Sequence, residues 1–359
     1  MTRSIFLMLV LTGFVSITKA QMECKMPNNI LAFTEIKKPY FLTKTIIDAE
    51  SPTPIAQKIK FWHIQDDNDA WVLQQSTDRY YTQGIFIQYF FAKNGLKNRF
   101  WNTLFFQVAP DADNYYGSSF RMAMYSPDTV QAQRDRNNQE HPYGGLMTLG
   151  MTCISKQPTT GAQLTTEYQL GVIGPAALQA ELQNTAHQVG GKQMPKGWEN
   201  QIPNDIALNV RLNYEYPLFD YGNSMEAIAI ADLNAGTISN NGGIGFRLKV
   251  GHFHRMRQAG LPFMDLPSNP KFQYSLAIQP NIYFIGDNAM LQGGISLNQA
   301  RRRQYIQVDN ITRLVGDVAL TYALSYSSWG LTYTYHVRTP EFKSGKSMFW
   351  GSVSVQKRF

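Results

Sequence analysis

The sequence predicts an all-β fold, an antiparallel transmembrane β-barrel of about 12 strands with a short extracellular helix. Three observations predict it. No stretch after the N-terminus reaches the length of apolar run a membrane helix needs, yet the chain holds 21 Phe, 19 Tyr and 6 Trp. Strict two-residue alternation runs through the C-terminal half, as at Ile206, Leu208, Val210, Leu212, Tyr214 and Tyr216 against Asn209, Arg211, Asn213 and Glu215. That period belongs to a strand with one face toward lipid and one toward the lumen. The chain also closes on an alternating strand, GSVSVQKRF, with the terminal Phe typical of barrels inserted into the bacterial outer membrane.

In chain order, residues 1–20 carry Arg3, an apolar core and a small-residue end at Ala20, which reads as a secretory signal peptide. Its removal lowers the formal charge of +7 by two. The remaining mild cationic excess suits phosphorylated glycolipids and soluble basic proteins alike. Residues 21–57 hold Pro27, Pro39, Pro52 and Pro54 and read as an irregular periplasmic extension. The barrel domain spans 58–359, with strands expected at 58–68, 80–92, 117–126, 143–156, 161–173, 204–217, 224–236, 241–252, 271–285, 308–326, 328–338 and 346–358. An even count places both ends in the periplasm. Cys24 and Cys153 could form one disulfide or stay unpaired. The RFWNTLFFQV segment within 93–116 reads as a short interfacial amphipathic helix.

Polar residues collect where the connections between strands 1 and 2, 3 and 4, and 5 and 6 open at the extracellular rim. Asn68 and Asp69 end the first strand and offer hard oxygen ligands suited to Ca²⁺. A plain acidic loop through Asp66, Asp67 and Asp69 is the alternative. Strand parity sends Ile85, Ile87, Tyr89 and Phe91 to lipid and Thr82, Gly84 and Gln88 to the lumen. Arg79 is placed to pair with a nearby acid or with a lipid phosphate. Pro175 starts a helix on which Gln179, Gln183 and His187 share one face.

Three stretches add a resemblance. DNDAWVLQQSTDRYYTQG from Asp67, YGGLMTLGMT from Tyr143, and LGVIGPAALQAELQNTAHQVGG…KGWENQ from Leu170 resemble, in family order, the motifs of the outer-membrane lipid A 3′-O-deacylases, the LpxR-type family. The resemblance covers roughly residues 60–359. It implies an outer-membrane enzyme that hydrolyses the 3′-linked acyl ester of lipid A with Ca²⁺. His187 would be the general base, with Thr82 and Gln183 beside it, Asn68 and Asp69 holding the ion, and Arg79, Tyr143 and Trp198 contacting substrate. The chain departs from the family where Gln193 and Met194 replace a Glu and a Tyr, and where Gln133, Arg134 or Arg136 must stand for a Lys. Lipopolysaccharide is the expected partner, the protein is expected to be a monomer, and nucleic acid is not expected. The Arg301–Arg303 run reads as a loop meeting lipid phosphates or solvent. An outer-membrane phospholipase and a non-catalytic barrel are the rival readings.

Overall fold

The computed structural model describes residues 57–72, 79–94, 103–128, 140–254, 272–296 and 305–359. The signal peptide, all but the last residue of the 21–57 extension, Cys24, Gln133, Arg134, Arg136 and the Arg301–Arg303 run lie outside the described residues.

Twelve strands form one closed antiparallel barrel. They are β1 (Gln57–Asn68), β2 (Tyr80–Lys93), β3 (Asp113–Ser126), β4 (Gly144–Lys156), β5 (Gln163–Ile173) and β6 (Asp205–Tyr221). The second half is β7 (Met225–Gly236), β8 (Ser239–His252), β9 (Gln273–Asn288), β10 (Leu314–Tyr326), β11 (Trp329–Arg338) and β12 (Met348–Arg358). Each strand pairs with its sequence neighbours and β12 returns to β1, so no edge is left open to lipid. β10 begins at Leu314 rather than at 308, because Val308–Asn310 is a 3₁₀ turn and Ile311 bridges to Phe342. No described helix is long and apolar enough to cross a membrane.

The alternation sorts side chains as hydropathy requires. Ile206, Leu208, Ile244, Phe246, Tyr322 and Leu331 are exposed outward, whereas Asn209 and Glu215 are buried inward. Three ion pairs lie inside the lumen, Arg247 with Glu215 at 2.9 Å, Arg338 with Asp317 at 3.2 Å, and Arg211 with Glu167 at 3.4 Å, while Arg121 lies over the Phe86 ring at 4.2 Å. A buried charge without such a partner would cost several kcal/mol, of the order of 3–5. Phe61, Phe90, Tyr115 and Ile154 fill the periplasmic end of the lumen, and Leu146, Ile173, Ile202, Ile238 and Met290 fill the extracellular end. A cavity of about 410 Å³ lies between them.

Two segments leave the ladder and fold onto the outer wall. One is the helix α1 (Gln179–Val189) in the β5–β6 connection. The other belongs to the β2–β3 connection, where Phe105 is buried against Tyr116 and Cys153 and Tyr168 donates to the Leu104 carbonyl at 2.7 Å. Residues 99–102 of the expected amphipathic helix at 99–108 lie outside the described residues; of the rest only Thr103 and Leu104 are helical, and from Phe105 to Val108 the chain is irregular. Cys153 is a buried free thiol.

Candidate active site on the outer wall

The site is built on the outer face of the barrel, not in its lumen. The reason is a bulge in β2: Tyr81 pairs with Tyr125 and the next pair is Gln83 with Met124, so Thr82 is one residue too many. Tyr81 and Gly84 stay on the luminal side, where Tyr81 donates to Asp67 at 2.7 Å. The extra residue turns Thr82 outward, and its hydroxyl hydrogen-bonds the Ser126 hydroxyl. This corrects the luminal placement that simple parity gave to Thr82; a bulge re-aims a side chain by interrupting the two-residue period.

The same alternation separates the three acids at the end of β1. Asp67 faces the lumen and accepts from Gln65 and Tyr81, each at 2.7 Å. Asp66 faces outward and accepts from the Trp71 indole at 2.7 Å. Asn68, opposite Gln83, caps the 3₁₀ turn Asp69–Trp71 by accepting from the Ala70 amide at 2.7 Å. Asp69 opens that turn and is 2% exposed. Asn68 and Thr82 thus come to adjacent positions on the outer surface of β1 and β2.

α1 lies against the outer face of β4. Gly174, with φ +92°, turns the chain off β5; a Cβ there would lie 2.6 Å from the Ile202 carbonyl oxygen. Gly145 is the outward-facing glycine under the helix. A Cβ on it would stand 2.8 Å from Gln179 Cγ and 3.2 Å from Ala177 Cβ, so the missing side chain is what lets the segment sit against the wall. Gln179, Gln183 and His187, the face expected from their four-residue spacing, are the buried residues of α1.

The segment after α1 then locks that face. Trp198 Nε1 donates to Gln183 Oε1 at 2.7 Å, and the Trp198 ring packs on Tyr143 with centroids 4.8 Å apart. Both rings share a cluster with Met124, which points outward from β3 two residues before Ser126. Tyr143, Trp198, Gln183, Ser126 and Thr82 are therefore joined through the outward face of β3. His187 Nδ1 lies 2.7 Å from the Gln193 carbonyl oxygen. A carbonyl only accepts, so Nδ1 is the donor of this bond, which leaves Nε2 as the nitrogen that carries the lone pair in a neutral ring. Gln193 thus serves His187 through its backbone, which the side-chain departure at this position does not touch.

Arg79 is placed at the rim, where it pairs with Asp128 at 3.3 Å and donates to the Ser347 carbonyl at 3.0 Å; Lys346 reaches the same Asp128 at 2.7 Å. These ion pairs hold the Asp128 carboxyl below its ordinary range against the opposing effect of burial. The Arg79–Asp128 pair ties the β2 entrance to the β3 exit, and sequence spacing could not have singled it out. His141 stacks on Tyr125 at 5.5 Å and on Tyr80 at 5.6 Å, and burial brings its imidazole down to about 4.

Among the described residues no three or more His, Cys, Asp or Glu side chains gather as a metal site. Asn68 and Asp69 supply two hard oxygen donors, which fits a Ca²⁺-type ion in kind. The rest of a six- to eight-oxygen shell would come from backbone carbonyls, water and substrate.

The family model described as outer membrane protein LpxR matches residues 40–359. The solved structure of LpxR from Salmonella typhimurium superposes with a TM-score of 0.66 at 17% identity, covering 83% of this chain and 100% of that one. The β domain of the Bordetella autotransporter BrkA matches with a TM-score of 0.36 at 7% identity, covering 85% of this chain and 99% of that one. OprB of Pseudomonas putida matches with a TM-score of 0.33 at 8% identity, covering 85% and 94%. Comparison with curated proteins finds no match by sequence. At these identities the structural likeness speaks for the fold alone.

Proposed function

This chain belongs to the LpxR outer membrane protein family and forms a twelve-stranded barrel of the bacterial outer membrane, and from that premise we propose that it is a lipid A 3′-O-deacylase. The observation that carries the reading is the orientation of His187. It lies on the buried face of a helix packed against the outer wall, with its Nδ1 committed to the Gln193 carbonyl.

In the proposed reaction His187 Nε2 removes a proton from water, and the hydroxide formed attacks the ester carbonyl. The C–O bond to the sugar then breaks, and the imidazolium returns its proton to the departing 3′ oxygen, so the acid and the alcohol both leave complete. Thr82, steadied by Ser126, is the hydroxyl donor for the oxyanion, and Gln183, held by Trp198, orients the ester. Asn68 and Asp69 would hold a Ca²⁺ ion, whose charge would stabilise the same oxyanion. Tyr143 and Trp198 provide an aromatic surface for the substrate.

Mass spectrometry of lipid A from cells with and without the protein, and with His187→Gln, tests this. The expected result is loss of the 3′ acyl chains in the wild type alone. Trimming at the wild-type rate by His187→Gln, in a barrel that folds, would remove the general base from the mechanism. Release of acyl chains from glycerophospholipids with lipid A left intact would favour the phospholipase reading instead.

A further inference from the structure

A concavity of about 870 Å³ lies on the outside of the barrel, where a closed wall should be convex. Two adjacent outward rungs line it. The first runs through Trp62, Tyr89, Ser118, Met151, Tyr168 and Val210, each opposite the next on consecutive strands. The second rung runs through Ile87, Phe120, Leu149, Leu170 and Leu208. With strands about 4.8 Å apart, the rung from β1 to β6 is roughly 24 Å long, and strand tilt sets it obliquely to the membrane normal.

The lining comes from the strands themselves, and the two segments that fold onto the wall stand on either side of it. On the extracellular side α1 and Ala177 stand off the wall over Gly145. On the periplasmic side the Leu104–Phe105 ledge is pinned by Tyr168, whose hydroxyl donates to the Leu104 carbonyl and whose ring packs on Phe105 at 5.4 Å. Between them Ser118 is the small residue of the first rung, flanked by Tyr89 and Met151. The slot lies on the same outward face of β4 as the glycine under the helix. Gly145, Met147 and Leu149 are successive outward positions of β4, so Leu149 in the slot is about 14 Å from the glycine under Gln179.

We propose that this slot is an acyl-chain gauge, holding the fatty acyl chain whose ester is cleaved and setting the chain length released. The inference rests on the ester hydrolysis proposed above. A fatty acyl chain is the occupant because the lining is apolar, faces the hydrocarbon layer and lies on the same face of β4 as the site, about 14 Å along the strand. A chain in a bilayer is already out of water, so the slot gains nothing by dehydration. It selects by shape, accepting a chain that ends before the ledge and excluding one that overruns it.

The test uses purified protein in detergent with matched lipid A preparations carrying a short or a long 3′ acyl chain. Ser118→Trp raises the floor and is expected to lower the long-to-short release ratio at least about tenfold. Phe105→Ala removes the ledge and is expected to raise that ratio, and Leu324→Trp on the far outer wall leaves it unchanged. Heat-modifiability confirms that each barrel is folded. A Ser118→Trp ratio equal to that of the wild type overturns the gauge while leaving the deacylase reading intact. Wild-type protein that is folded yet releases neither chain overturns the deacylase reading instead. In that case cross-linking by a diazirine-bearing fatty acid decides the slot: labelling concentrated at Met151 and Tyr168 supports acyl binding, and labelling no denser there than around Leu324 ends it.

Discussion

Thr82 and Ser126 share a hydroxyl–hydroxyl hydrogen bond across the β2–β3 seam, on the outer face of the barrel. The bond exists because a one-residue bulge turns Thr82 away from the lumen. Ser126 then decides where the Thr82 proton points. Ser126→Ala is expected to lower kcat about 3–10-fold with KM little changed, the effect of one neutral hydrogen bond. Thr82→Val, which removes the donor itself, is expected to cost about 10²–10³-fold. Steady-state kinetics on lipid A checks both, and equal losses in the two variants would mean that Ser126 acts by more than positioning.

Gly145 is predicted to be intolerant of any side chain. The Cβ of a Val would meet Gln179 and Ala177 and push α1 outward, while β4 keeps its ladder. Displacement of about 1 Å at a catalytic group costs on the order of 10²-fold. Gly145→Val should therefore lose activity to that extent yet still run as a heat-modifiable barrel. Undiminished activity would detach α1 from the chemistry.

Calcium binding is predicted to depend on Asp69. Calorimetric titration of the detergent-solubilised protein should show Ca²⁺ binding that Asp69→Asn weakens at least about tenfold, since affinity follows the ligand charge count. Activity should vanish with a strong chelator and return with Ca²⁺. Identical titrations for wild type and Asp69→Asn would place the ion elsewhere.

The barrel was legible because its physics is periodic: the alternation from Ile206 to Tyr216 must put apolar groups in lipid, and it does. The helix face was legible for the same reason, since Gln179, Gln183 and His187 recur at the helical period. What escaped was local and aperiodic. A single inserted residue reverses parity at Thr82, and nothing in TDRYYTQG announces it. The choice among Asp66, Asp67 and Asp69 depends on where β1 ends and a 3₁₀ turn begins, a boundary that no periodicity marks. Arg79 finds Asp128 across 49 residues, and the Gln193 carbonyl carries no side-chain signature at all.

His141 supplies a pH prediction at the rim. Burial brings its pKa from 6.5 to about 4, so the folded protein holds fewer protons than the unfolded chain between those values. The stability that neutral His141 contributes is full above about pH 6.5 and is lost progressively as pH falls toward 4. At about 1.4 kcal/mol per pKa unit, the loss amounts to roughly 3 kcal/mol. Glu140, whose carboxyl is pushed up by burial, titrates with the opposite sign, so the informative comparison is with His141→Phe, which keeps a ring between Tyr80 and Tyr125. The midpoint of thermal unfolding in detergent should fall between pH 7 and pH 4.5 by distinctly more in the wild type than in His141→Phe. Parallel curves for the two proteins would show that the imidazole takes up its proton without cost and that the aromatic stack accepts the cation.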